Sequence, residues 1–238
     1  GNGRSADASS VDPDSTSPYV GVAPDANIVA VRSTFLTPDI LDAAAYIVIR
    51  AFQFGMPAVI NMSFGNTWGP GDGRGLLPEG LGLLVQGSFG LAMVAAVGND
   101  GNTNAHARIV VRAEDPPRRV YLRPDFAADS VFVEAWHPIG AQVRSRPLFP
   151  INNAGDLGEL GFPWIEPDDL AVGLVAAGPT AGLEAFLANT VGPAFVDDLV
   201  QTYLALSRSG DYAVPLDAHV YALEFEGEGT IDAFVHDG

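Results

Sequence analysis

Few side chains in this chain combine a reactive type with a reactive setting, and the best candidate is a carboxamide. Asn99 follows Gly98 directly after an apolar run at 91–97 (LAMVAAV). Its NH2 group can donate a hydrogen bond with no protonation event, although a Gly-Asn pair after a strand also reads as an ordinary turn. The other candidates are weaker. Ser88 in Gly87-Ser88-Phe89-Gly90 is no nucleophile elbow, because Gln86 stands where the first glycine belongs. Asp100-Gly101-Asn102-Thr103-Asn104 hints at a calcium loop, yet Val111 occupies the place of the bidentate acid. The glycine-rich stretch at 69–75 lacks both the dinucleotide-binding spacing and a P-loop lysine. The carboxylate pairs Asp168-Asp169 and Asp197-Asp198 read as solvated. His137 beside Trp136 reads as a strand-end residue, since no partner stands at metal-site spacing. No metal and no cofactor is expected.

The elements that would position Asn99 alternate in type. Residues 27–32 (NIVAVR) form a short β-branched apolar run, as do 58–64 (AVINMSF) and 91–97. Between the first two, Thr37 and Pro38 suit an N-cap and a first helical residue. Ile40, Ala44, Ile47, Ala51 and Phe54 then recur at helical spacing, and Gly55 supplies the stop. Between the second and third, Pro78 opens a helix with Leu81, Leu84 and Val85 inward. Its Gly80, Gly82 and Gly87 cost about 1 kcal/mol each against alanine, so burial must hold it. Strand–helix–strand–helix–strand predicts an α/β layer with a parallel sheet and right-handed crossovers.

After about residue 105 the pattern changes to short alternating segments broken by Pro, Gly and Asp. The strand candidates are 109–112, 119–123, 130–136, 141–144, 171–176, 220–225 and 230–235. Val131, Val133 and Ala135 would face one way, and Phe132, Glu134 and Trp136 the other. Glu226-Gly227-Glu228-Gly229 reads as a hairpin turn between the last two strands. Residues 194–206 read as an amphipathic helix with Val196, Leu199, Val200 and Tyr203 on one side. Many short strands with frequent turns predict an antiparallel sandwich of jelly-roll type, and a two-domain chain divided as 1–104 and 105–238.

Composition bounds the function. The chain has 238 residues, 47% of them hydrophobic, enough to build a real core. Twelve Lys and Arg against 29 Asp and Glu give a net charge of -17. Such a surface repels phosphate backbones and anionic lipid heads, so neither nucleic acid nor membrane is expected as a partner. No apolar run approaches the roughly 20 residues of a membrane helix. Cysteine is absent, which leaves the compartment open. Gly1-Asn2-Gly3-Arg4 has no initiator Met and no signal-like region, which fits a removed signal or a start inside a longer protein.

Three motifs in order give the first hundred residues a resemblance to the middle of a subtilase, a subtilisin-like serine protease. Gly21-Val22-Ala23-Pro24 is similar to that family's turn before a strand. Ile60-Asn61-Met62-Ser63-Phe64-Gly65 is similar to its Ile-Asn-Met-Ser-Leu-Gly strand end. Val94-Ala95-Ala96-Val97-Gly98-Asn99-Asp100-Gly101 is similar to its Val-Ala-Ala-Ala-Gly-Asn-Glu-Gly segment. The resemblance implies that Asn99 is the oxyanion-hole donor. Such a donor is worth about 3–4 kcal/mol of barrier, a magnitude that comes from the corresponding asparagine of subtilisin itself. It further implies that Ser63, Phe64 and Gly65 run beside an extended peptide or protein substrate, with Ala96, Val97 and Gly98 as the opposite wall. For Ala96 and Val97 plain core packing is the alternative. Phe64 and Val97 are bulkier than the family's usual leucine and alanine, which predicts a narrowed pocket.

The same resemblance marks what is missing. Nothing matches the Asp-Thr/Ser-Gly, His-Gly-Thr-His or Gly-Thr-Ser-Met motifs, and His106, His137, His219 and His236 all lie in the second half. It therefore implies an internal piece of a serine endopeptidase, inactive alone. The second half resembles, by position and strand pattern, the inserted jelly-roll domain of clostridial spore-germination subtilases. The alternative is a pseudoprotease or binding scaffold whose jelly roll engages a protein or cell-envelope partner. Without the family's nucleophile helix, the layer of Ile28, Val59, Ile60 and Val94 loses cover, so self-association is expected. The family setting implies an extracellular or cell-envelope location and nothing finer.

Overall fold

The structure is a computed structural model that describes residues 22–65, 68–99, 101, 103–124, 129–193, 196–208 and 216–237. Its first part is a small α/β layer. Helix α1 spans Thr37–Phe54, with Leu36 rather than Thr37 in the capping position and no side-chain cap. Pro38 in the first turn has no N–H to leave unsatisfied, and Asp39 there favours the positive end of the helix dipole. Gly55 takes a left-handed φ of 63° and ends the helix. Strand β1 (Ala58–Met62), helix α2 (Leu76–Gln86) and strand β2 (Leu91–Ala95) follow, with α2 starting two residues before Pro78.

Among the described residues the expected three-strand sheet has two strands. β1 and β2 pair in parallel, and residues 27–32 join no ladder. That segment stands across a cavity of about 1180 Å3 from β1 and α1, with Ile28 82% exposed. An apolar run becomes a strand only where a neighbour completes its hydrogen bonds, and among the described residues none pairs with it. One face of the β1–β2 sheet is covered. Ile60 and Met62 pack with Ala44 of α1, flanked by Ile47, Leu81, Leu84, Leu91 and Met93. The other face is bare: Val59 is 67% and Val94 54% exposed, whereas Ile60 lies on the covered side. Gly80 lets α2 approach α1, because a Cβ there would stand 2.6 Å from Leu41 Cδ2.

The second part is an antiparallel sheet that curls on itself. Its strands are β3 (His106–Val111), β4 (Arg118–Leu122), β5 (Ser130–Pro138), β6 (Gln142–Pro150), β7 (Leu157–Gly158), β8 (Leu170–Leu174), β9 (Glu184–Val191), β10 (Leu199–Ser207) and β11 (Tyr221–Asp237). The order is β7-β6-β11-β5-β10-β9-β8, with β3 and β4 also on β11. Val131, Val133 and Ala135 are fully buried between the two leaves, as the alternation of β5 predicts. Inside, Asn189 Oδ1 accepts from Ser145 Oγ at 3.0 Å and Thr202 Oγ1 at 2.8 Å, and its Nδ2 donates to Ile165 O at 3.1 Å. On the outer side of the smaller leaf, buried Glu224 accepts from Arg119 Nε and Arg146 Nε, each at 2.8 Å.

Two expectations fail here for identifiable reasons. The described residues of 194–206, from 196 on, form no helix: from Leu199 onward the chain is β10, laddered to β5 on one side and β9 on the other. Val200, Thr202, Leu204 and Leu206 are its inward set, so the period of two overrides a helical period that the same residues also satisfy. Nor is Glu226-Gly227-Glu228-Gly229 a turn. β11 runs through it, pairing with β4 up to Phe225 and with β6 up to Glu228, then with β3 from Gly229 and with β5 from Asp232. The glycines are sites of close backbone approach in a strand shared by both leaves. Gly227 has φ 116°, and a Cβ there would meet Gln142 O at 1.7 Å. Gly227→Ala is accordingly expected to destabilise the chain by about 3 kcal/mol, read as a lower denaturant midpoint; a loss below about 1 kcal/mol would show that β11 is not held at this bend.

Candidate functional site

β1 and β2 are in register from Ala58↔Leu91 to Met62↔Ala95. Ala96 N donates to Met62 O at 3.0 Å, one step beyond the last pair. Residues 63–65 and 96–99 therefore leave the same end of the sheet, one strand apart. This is the carboxyl end of parallel strands, where backbone groups turn outward and ligands bind in open α/β sheets. Ser63, Gly65, Ala96, Val97, Gly98 and Asn99 are exposed. Gly98 has φ 86°, a conformation that lets the chain turn sharply after β2 and carries Asn99 past the strand end. Asn61 Nδ2 donates to Ser63 Oγ at 3.0 Å, which leaves the Ser63 hydroxyl hydrogen available to another acceptor.

Phe64 differs from its neighbours. Its ring meets Phe35 edge-on at 5.1 Å and packs against the Ala44, Ile60 and Met62 cluster. Val97 is fully exposed, so it, and not Phe64, projects free bulk at this end of the sheet. No charged residue occurs in 58–65 or 91–99, so what these two runs themselves offer for polarisation is backbone N–H groups and neutral amides.

The remaining candidates lie elsewhere. Ser88 sits in the turn after α2, its N–H on Val85 O. Asp168 accepts from Val191 N at 3.0 Å, and Asp198 pairs with Arg74, so one carboxylate of each pair has a partner although both stay exposed. Asp100 and Asn102 of the calcium-like loop are outside the described residues. Among the described residues no group of three or more His, Asp or Glu side chains could hold a metal ion, and no helix is long and apolar enough to cross a membrane. His106 contacts Asp232 Oδ1 at 3.0 Å, where Arg108 also binds and holds the Asp232 carboxyl below its usual range.

One contact was not visible in the motifs. The glycine-rich stretch at 68–75 docks on the outer face of the β5–β10–β11 sheet. Trp68 stacks on His236 with ring centroids 3.9 Å apart, and lies 5.9 Å from Phe132 and 6.3 Å from Tyr203. Gly69 N donates to Glu134 Oε2 at 2.7 Å, and Arg74 pairs with Asp198. The one clue in the sequence was the outward set Phe132, Glu134 and Trp136, two of them large and apolar, on a face that would otherwise be wet.

With this geometry in view, the chain can be placed among known structures. The class is an α/β layer with a parallel strand pair, joined to a curled antiparallel sheet. No protein-family model matches the sequence, and no curated protein matches it significantly. Among solved structures, the chain is similar to the CspB protease of Clostridium perfringens, with a TM-score of 0.68 at 16% identity over 84% of this chain. The match spans 40% of that protease's chain. At that identity the likeness establishes a shared fold.

His137 is structural. It is buried, its Nδ1 is 3.1 Å from Pro138 O, and desolvation pushes its pKa below the usual value. The unfolded chain therefore takes up a proton first as pH falls through about 6.5, the usual histidine value, and stability declines below it. His137→Gln is expected to flatten the fall in thermal midpoint between pH 7 and pH 5; an unchanged slope would assign that fall to other groups.

Proposed function

We propose that this chain is the part of a subtilisin-like serine endopeptidase that binds the substrate backbone and stabilises the oxyanion. The observation that carries it is the parallel register of β1 and β2, which brings residues 63–65 and the exposed Asn99 to one end of the sheet. The run 63–65 offers an edge to which an extended peptide substrate adds as a strand, through backbone hydrogen bonds. Residues 96–98 form the opposite wall. Asn99 donates to the carbonyl oxygen as it becomes an oxyanion. The similarity to a protease structure and the three ordered motifs support the same reading. In it, residues 1–104 are part of the catalytic domain and 105–238 an inserted domain of jelly-roll type, and the bare face of Val59 and Val94 is a surface for self-association.

No histidine and no carboxylate lies in 58–65 or 91–99, so a histidine base and its orienting carboxylate must come from residues outside those runs, and the nucleophile in this reading is the serine of the unmatched Gly-Thr-Ser-Met motif. The chain by itself should hydrolyse no peptide; turnover above a contamination control would overturn this. In a longer protein that joins the segment to His-Gly-Thr-His and Gly-Thr-Ser-Met motifs, Asn99→Ala should lower kcat about 10²–10³-fold with KM within about twofold. The same assay should favour a small residue before the scissile bond, because Val97 intrudes. An unchanged kcat refutes the oxyanion role, and a preference for large aromatics refutes the narrowed pocket. Peptide binding without turnover in that longer protein favours the scaffold reading.

A further inference from the structure

The described part of the loop before α2, residues 68–75, has little means of holding itself. Gly69, Gly71, Gly73 and Gly75 all have positive φ, and the described residues between them present few apolar side chains. Glycine has the largest conformational freedom to lose, so such a loop is ordered only by what it rests on. It rests on the antiparallel sheet. Trp68 covers His236, Gly71 lies where a Cβ would come within 3.3 Å of Phe234, and Arg74 reaches Asp198.

The polar anchor in this contact is Glu134. Its residue is 4% exposed, in the middle of β5. Oε2 accepts from Gly69 N at 2.7 Å, Oε1 accepts from Gln201 Nε2, and His236 Nε2 lies 3.5 Å from Oε2. A carboxylate taken out of water is costly unless its oxygens are bonded, and these contacts supply the bonds. Its negative charge is felt next door, where burial first and Glu134 second raise the Tyr203 pKa. Each partner comes from a different element: the loop, β10 and β11. Removing the loop would uncover one oxygen of a buried anion, so Glu134 and the loop hold each other.

Only three residues separate Gly69 from Gly65, the last residue of the proposed substrate edge. We infer that Glu134 is a positioning residue for that edge: through Gly69 and Trp68 it sets the conformation of Ser63, Phe64 and Gly65, and peptide binding there is linked to docking of the loop on the sheet. The inference rests on the reading of 63–65 as the peptide-binding run. Linkage is reciprocal, so a peptide that binds the edge also tightens the loop.

The test uses the whole chain and two readouts. Hydrogen exchange of the Phe64, Gly65 and Gly69 amides reports the loop; anisotropy of a labelled, end-blocked tetra-alanine peptide reports the edge. Glu134→Leu, which keeps bulk and removes the acceptor, should raise exchange and weaken peptide binding, each by about tenfold or more. Glu134→Gln keeps an acceptor for Gly69 and should recover exchange to within about threefold of the parent chain, a rescue that packing alone would not discriminate. Trp68→Ala should mimic Glu134→Leu, and the double change should add little to either. Exchange in the β5 and β9 amides serves as the check that the sheet is intact. Unchanged exchange at 64–69 in Glu134→Leu, with the sheet intact, overturns the inference; so does a double change whose effects multiply. If exchange responds as expected but the parent chain binds no peptide, the substrate-edge reading falls and Glu134 remains an anchor of the loop alone. If Glu134→Leu also loses sheet protection, Glu134→Gln and Trp68→Ala decide: full protection of 64–69 in Trp68→Ala overturns the inference.

Discussion

The pairing of Ala58↔Leu91 through Met62↔Ala95 carries the rest of the site. Parallel strands must be joined by a crossover, and here the glycine loop and α2 make it. That connection returns the chain to the same side, so that both strands end together. A one-residue slip would send Ile60 and Met62 to the bare face and Val59 into the layer under α1. The Ile60, Met62 and Ala44 cluster resists such a slip, because only the present register buries it. The apolar layer on one face therefore fixes where Ser63 and Asn99 emerge, although neither residue belongs to it.

The covered and bare faces of this two-strand sheet are unequal in kind. Parallel strands are normally covered on both faces. Here α1 and α2 lie on one face, while Val59 and Val94 look outward on the other. A surface carrying a net charge of -17 disfavours indiscriminate association. The exposed Val59 and Val94 form an uncharged apolar strip within it.

The curled sheet solves a different problem. β11 belongs to both leaves of the curled sheet and passes between them at Gly227 and Gly229, with no hairpin at that point. The core between the leaves is largely apolar, and the buried Asn189, Ser145 and Thr202 set has hydrogen bonds that span β6, β9 and β10. The outer face around Glu134 is the surface on which the loop after Gly65 comes to rest, so the two parts of the chain share an interface rather than a tether.

Local chemistry determined much of this molecule. The helix of residues 37–54 and its glycine stop were legible from spacing and capping, as were most strands of the second half, because period and turn residues act over a few positions. The alternation in β5 correctly separated Val131, Val133 and Ala135 from Phe132, Glu134 and Trp136. Asn99 was legible only through its motif, since a Gly-Asn pair alone is a turn. What the chain could not declare locally was pairing. Residues 27–32 have the composition of a strand and no ladder, 199–207 fit two periods, and Glu226-Gly227-Glu228-Gly229 looks like a turn while serving as a strand. The loop anchored on Glu134 was equally hidden, since Gly69 and Glu134 stand 65 residues apart. Tertiary structure decided these because a hydrogen bond between backbones depends on which segment arrives alongside, and no short stretch of sequence contains its own neighbour.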